Sequence, residues 1–240
     1  FYASADSFLV SGISLIRNLN FGIEYSKSFG VTDFIGYLPD TFGHSRSIFD
    51  ILKAFNIANA LAWRGIGPLP HNDFKINGIN ATRLVYGYFM DVLHPLERYS
   101  ACFDDFCNLK SSANADFTVN EIIKIVQSLE KILDKIAQNS DGDLLLPIGA
   151  DHLAALKDSS KIVNIVNKYL QNYEIELKSP FEYTQNADYS HLSMHGELLD
   201  NTVTYILPGV YSSRIPQKVE NAKLQWDLFR IVEPLNHFAE

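Results

Sequence analysis

The 240-residue chain is 47% hydrophobic and 20% charged, and its 28 acidic against 20 basic side chains give a formal net charge of −8. That composition suits one sizeable globular core and part of a second. It argues against a nucleic-acid or anionic-membrane partner, either of which needs clustered Lys and Arg. No apolar stretch reaches the length of a membrane span, no signal peptide opens the chain, and the first residue is Phe1, so the sequence reads as a fragment or a processed product.

Leu15, Ile16, Leu19 and Ile23 recur at helical spacing, and Gly30 is a suitable residue for ending that helix. Val31 to Leu38 is short, β-branched and aromatic, and predicts a buried strand that ends just before Asp40. Ile48, Ile51, Leu52 and Phe55 mark a short helix. Ile57 to Trp63 predicts a second strand, ending at Arg64-Gly65, and Ala81 to Tyr88 a third. The stretch from Gly65 to Asp116 has little clear period and reads as a functional surface. Within it lie Cys102 and Cys107, either a disulfide or two free thiols of a reducing compartment.

Thr118-Val119-Asn120-Glu121 has the spacing of a capping box, and Ile122, Ile125, Val126, Leu129, Leu133 and Ile136 behind it form the strongest helical stripe. After the turn at 139–142, Leu144 to Gly149 predicts a buried strand leading to Asp151 and His152. A helix through Ile162, Val163, Val166 and Leu170, then a strand from Tyr173 to Leu177, follow. From about Gln217 the pattern is helical. This alternation predicts an α/β architecture with a parallel sheet, a domain boundary near Pro208 and a helical appendage beyond it.

Asp40 and Asp151 each follow a predicted strand, which would bring both to one edge of the sheet. A lone carboxylate there is either a helix cap or a catalyst. Two of them supply what glycoside hydrolysis needs: one attacks the anomeric carbon and the other protonates the leaving oxygen. Tyr37, Phe42 and Trp63 lie near those strand ends as core or as platforms for a sugar ring. Arg64 can hold a sugar hydroxyl or Asp40, or simply face solvent. His44 and His152 are metal ligands or, as hydrogen-bonders and caps, supports for other groups.

The segments Phe8-Leu9-Val10-Ser11-Gly12, Leu15-Ile16-Arg17-Asn18-Leu19, Gly36 to His44 (GYLPDTFGH), Trp63-Arg64-Gly65 and Pro147 to His152 (PIGADH) together resemble the catalytic domain of family 38 glycoside hydrolases, the zinc-dependent α-mannosidases, and most closely its bacterial-type members. His195-Gly196-Glu197-Leu198, Leu207 to Val210 and Ser212-Ser213-Arg214 resemble the passage into that family's helical middle domain. The resemblance implies a distorted seven-stranded β/α barrel, incomplete here, over residues 1–208, with the first strand region lacking, and the start of a helical bundle domain over 209–240. It implies retaining, zinc-assisted cleavage of terminal α-mannosides in a cytoplasmic enzyme, with a mannoside or mannose-containing oligosaccharide as partner and a homo-oligomer left open. Carried over by position, Asp40 matches the nucleophile and a zinc ligand, Asp151 the acid/base, and Phe42 and Arg64 the sugar subsite.

The chain departs from the pattern in two ways. Ala150 stands where the family usually has an acidic residue, and the remaining zinc ligands are expected outside this sequence. The fragment alone is therefore expected to be inactive. A non-catalytic carbohydrate-binding barrel that has lost its metal site is the alternative. A relative acting on glycerate-linked or phosphorylated mannosides would need a basic subsite, for which only Arg64 and Arg83 present themselves.

Overall fold

The computed structural model describes residues 1–88, 91–97 and 113–239. In chain order the elements are α1 (Gly12–Lys27), β1 (Gly36–Leu38), α2 (Ser47–Ala54), β2 (Asn59–Ala62), β3 (Asp73–Ile76), β4 (Ile79–Arg83), a 3-10 turn (His94–Leu96), α3 (Ala113–Ala137), α4 (Ser159–Tyr169), α5 (Pro180–Asn186), β5 (Ser193–Met194), α6 (Gly209–Ser212), α7 (Ile215–Asp227), a π-helical turn (Leu228–Val232) and α8 (Glu233–Ala239). The fold is mixed α/β, with a five-stranded sheet in the order β1-β2-β4-β3-β5. None of the described helices is long and apolar enough to cross a membrane.

Two compact units divide the chain. The first comprises Phe1–Pro68, Ile76–Ile79 and Met194–Glu240, and the second Leu69–Lys75 and Asn80–Ser193. In the first unit, α1 starts where the Ser11 hydroxyl accepts the Ser14 amide, and it buries Leu15 and Leu19 while Ile16 stays exposed. β1 and β2 run parallel in the register Gly36↔Ala60, Tyr37↔Leu61 and Leu38↔Ala62. β2 is buried along its whole length, which suits Ala60, Leu61 and Ala62, and its first residue, Asn59, is a buried polar one. α2 lies so close over β1 that a Cβ on Gly36 would come 2.5 Å from Leu52 Cδ1. Phe49 is fully buried beside Ile48 and Leu52 on that helix.

The strand expected over 31–38 is thus only three residues long; Val31 to Asp33 are exposed and have no second face to bury. Asn77 (φ +50) and Gly78 (φ +81) supply the two left-handed residues of a tight hairpin turn joining β3 to β4. That hairpin replaces the strand expected over 81–88, which shifts to Ile79–Arg83.

The second unit is organised by α3. Its predicted stripe is its core face: Ile122, Val126, Leu129 and Leu133 pack with Ile162, Ile165 and Val166 of α4 and with Leu93 and Leu96. α3 begins at Ala113, five residues before the expected cap, so Thr118 is helical and 118–121 is not a capping box at the helix start. The buried strands expected over 144–149 and 173–177 do not form. Leu144, Leu146 and Ile148 are half-buried and lie against the helical cluster, as do Tyr173 and Ile175. The Asn167 side chain meets Ile175 twice, accepting its amide at 2.9 Å and donating to its carbonyl at 2.8 Å. A side chain thereby satisfies the backbone groups that a neighbouring strand would otherwise pair. Cys102 and Cys107 lie outside the described residues.

Candidate active site

The parallel register of β1 and β2 builds the site of the first unit. Asp40 and Arg64 each stand two residues beyond paired positions, Leu38 and Ala62, so the two side chains emerge together at the carboxyl ends of adjacent strands. The ladder continues one step, with the Trp63 amide donating to the Leu38 carbonyl at 3.2 Å. Crevices outside the carboxyl ends of parallel strands are where α/β sheets bind ligands.

Arg64 organises this edge. Its Nε donates to Asp40 Oδ1 and its Nη1 to the Tyr205 carbonyl. The guanidinium carbon lies 4.4 Å from the Trp63 ring centroid and 5.7 Å from that of Phe42, so aromatic faces and the carboxylate hold one cation between them. The Arg64 side chain is 15% exposed and that of Asp40 39%: the arginine is largely buried and the carboxylate remains reachable. Phe42 is fixed through its backbone, since its carbonyl accepts the Tyr211 hydroxyl.

The turn carrying Asp40 is held from beneath. His44 is fully buried, with Nδ1 2.9 Å from Thr41 Oγ1, and burial pushes its pKa down to about 4. It is a core histidine that braces the turn. Its backbone pairs with Leu198 in both directions, at 3.0 and 2.9 Å, and the Asp200 amide donates to the Gly65 carbonyl at 3.0 Å. Residues 198–200 therefore tie the Asp40 turn to the Arg64 turn. Gly65 sits at φ +83, and a Cβ there would meet the Leu198 carbonyl oxygen at 2.1 Å, so this close approach requires glycine. The roles of Leu198, Asp200, Tyr205 and Tyr211 escape sequence reading, because each meets a residue more than 130 positions away. The His195-Gly196-Glu197-Leu198 motif points to the region but not to the contact.

Asp151 belongs to the second unit and has a different setting. It is exposed in a turn between Gly149 (φ +138) and His152 (φ +63), and Tyr88 donates to its Oδ2 at 3.4 Å. The loop is anchored beyond it, where His94 Nε2 meets the Ala154 carbonyl at 3.0 Å and Glu97 accepts the Lys157 amide. Of the four positions carried over, Asp40, Phe42 and Arg64 form one group with the neighbouring Trp63, and Asp151 stands with Tyr88 in another.

Asp40 does not belong to any grouping of three or more His, Cys, Asp or Glu side chains able to hold a metal among the described residues. One such grouping does occur elsewhere, at His71, Asp141 and His191. The residues around Asp40 in this chain do not by themselves fit a zinc ion, which needs three or four protein ligands.

Comparison with known proteins gives a consistent family. The model of the glycosyl hydrolases family 38 N-terminal domain matches residues 1–205. Alpha-mannosidase G of Dictyostelium discoideum is 32% identical over 247 residues, covering 100% of this chain and 20% of that protein. The alpha-mannosidase of Saccharomyces cerevisiae is 34% identical over 85 residues, covering 33% of this chain and 8% of that one. The crystal structure of an alpha-mannosidase from Enterococcus faecalis V583 shares the fold with a TM-score of 0.61 at 20% identity, over 82% of this chain and 21% of that one. The chain spans 20% or less of the length of the curated relatives it matches here.

Proposed function

The chain belongs to glycosyl hydrolase family 38, and from that premise we propose that it forms the part of a retaining α-mannosidase that supplies the nucleophile, Asp40, and the acid/base, Asp151. The observation that carries this reading is the Asp40–Arg64 pair at the carboxyl ends of two parallel strands, flanked by Phe42 and Trp63. Arg64 fixes the direction of the Asp40 carboxylate, which attacks the anomeric carbon as the glycosidic bond breaks. Asp151 gives its proton to the departing oxygen. Water, giving up a proton to Asp151, then attacks the anomeric carbon of the glycosyl-Asp40 ester and frees the Asp40 carboxylate. Phe42, stacked with Arg64 at one side, supplies an apolar face for the sugar ring, while Arg64 limits its approach.

Residues 1–208 are proposed as the incomplete seven-stranded β/α barrel and 209–240 as the start of the helical bundle domain. The substrate class is a terminal α-mannoside or a mannose-containing oligosaccharide, the setting cytoplasmic, and homo-oligomerisation open. Zinc is expected with Asp40 as the ligand from this chain, although the residues present do not by themselves assemble its site. That same shortage, with Ala150 beside Asp151, favours a second reading, a carbohydrate-binding barrel without catalysis. An assay with an aryl α-mannoside separates the two. In the protein that carries this chain together with the remainder its relatives have, Asp40→Asn lowers turnover on the order of 10³-fold or more. Equal, weak binding of mannosides by both forms without any turnover supports the second reading. The 240-residue chain alone is expected to show little or no turnover.

A further inference from the structure

We propose that His71, Asp141 and His191 form a binding site for a borderline transition-metal dication, zinc foremost, with water completing its coordination. All three residues belong to the second unit, and none is among the proposed catalytic groups.

The geometry is that of convergent donors. His71 Nδ1 lies 2.8 Å from Asp141 Oδ2 and His191 Nε2 lies 3.8 Å from the same oxygen. The three ligand atoms all fall within 4.8 Å of one another. In a tetrahedral site with bonds of about 2.0–2.1 Å, neighbouring ligand atoms are about 3.3 Å apart. The observed separations fall on both sides of that value, so an ion at the centre needs only small side-chain rotations. The two imidazoles are stacked, with ring centroids 4.9 Å apart and planes 18° from parallel, and both present a nitrogen to one carboxylate. Asp188 Oδ2, 3.2 Å from His191 Nε2, makes the contact that an ion bound at that nitrogen would displace.

The ligands come from three separate segments, each held by buried or well-anchored neighbours. Asn72, next to His71, is buried; its amide donates to the Asn139 carbonyl at 2.7 Å and its side chain to Ile136 and Ser140 at the end of α3, at 3.1 and 3.0 Å. That clamp keeps His71 beside Asp141. Tyr189, between Asp188 and His191, is buried against Thr82 Oγ1 at 3.2 Å, and the Leu192 carbonyl accepts the Lys75 amide at 2.8 Å. The backbone therefore positions the donor set before any ion arrives, which removes part of the ordering cost of binding. Two imidazoles with one carboxylate suit zinc, nickel or copper and are a poor match for calcium or magnesium, which take oxygen ligands. The partial exposure of all three leaves a path for the ion and room for water as a further ligand. Bound there, the ion would cross-link the segments around residues 71, 141 and 191.

The test is titration of the chain with zinc chloride by calorimetry, with cobalt(II) substitution read by visible absorption. The expected result is one zinc per chain and the intense bands of tetrahedral cobalt. His71→Ala and His191→Ala each weaken zinc at least tenfold and abolish those bands. Asp141→Asn, close in shape and therefore safe for folding, weakens zinc at least tenfold too. Asp40→Asn leaves zinc binding at this site unchanged, so the outcome is independent of the glycosidase reading. A folded chain that binds no zinc overturns the proposal, as does zinc binding insensitive to all three substitutions or lost only with Asp40→Asn.

Discussion

Asp40 and Asp151 follow apolar runs of similar type, yet the two regions solve the same local problem differently. The run before Asp40 ends in a strand paired in parallel with β2, and the turn beyond it is tied to residues 198–200. The run before Asp151 lays Leu144, Leu146 and Ile148 against the α3–α4 cluster, and its turn is exposed between two residues of positive φ. One carboxylate is positioned by a ladder and a buried histidine, the other by a loop and a long tyrosine contact. An apolar run announces burial, and only the partner across from it decides whether that burial is a strand.

If the Asp40 turn is rigid and the Asp151 turn compliant, the same kind of change must cost more in the first. The largest effect is expected at Gly65. Alanine there combines φ +83 with a Cβ placed 2.1 Å from the Leu198 oxygen. Gly65→Ala should lower unfolding free energy by roughly 3 kcal/mol or more, measured by urea denaturation. A loss below about 1 kcal/mol would mean that the 198–200 tie yields easily.

His44 comes next. Its folded pKa of about 4 lies below its ordinary value of 6.5 because burial disfavours the imidazolium. Above pH 6.5 both states hold it neutral and it contributes no pH dependence. As the pH falls from 6.5 towards 4 the unfolded chain takes up a proton that the folded chain refuses, and stability is lost. That loss should approach roughly 3 kcal/mol over the window. Denaturation curves of the native chain and His44→Gln at pH 7 and pH 4.5 measure it; the variant should lack this component. Parallel pH dependence in both would place the acid sensitivity elsewhere.

Gly149 tests the other region. It sits at φ +138, and a methyl group there would meet nothing within 4 Å, so Gly149→Ala introduces backbone strain without a clash. The expected cost is about 1–2 kcal/mol by the same denaturation measurement, smaller than at Gly65. Equal costs at the two glycines would erase the contrast. The smallest effect belongs to Tyr88→Phe. Its 3.4 Å contact to an exposed carboxylate should change stability by less than about 0.5 kcal/mol, and a larger change by thermal unfolding would show that the tyrosine holds the Asp151 loop.

How far this molecule was legible follows the same division. The stripe from Ile122 to Ile136 is readable because a long amphipathic helix specifies its buried face by period alone. Arg64 after an apolar strand is readable as a residue in need of a partner, and the structure supplies Asp40, the Tyr205 carbonyl and two rings. The capping-box spacing at Thr118 lies inside a helix, since i to i+3 pairs also occur along any helical face. Tyr173 to Leu177 has strand composition, but Asn167 takes its backbone groups and the α3–α4 cluster takes its side chains. The Asn77-Gly78 hairpin had a signal, a dipeptide suited to two left-handed residues, masked by the weak alternation around it. The His71–Asp141–His191 grouping has no local spacing at all and emerges only from folding.

The central proposal is that Asp40, at the end of β1 and paired with Arg64, is the group that bonds to the sugar. A slow-turnover fluorinated α-mannosyl substrate, reacted with the protein that carries this chain, followed by proteolysis and mass spectrometry of the labelled peptide, tests it most directly. The account predicts a mannosyl ester on Asp40, absent in Asp40→Asn. A label on a different carboxylate, or full turnover in Asp40→Asn, would contradict it.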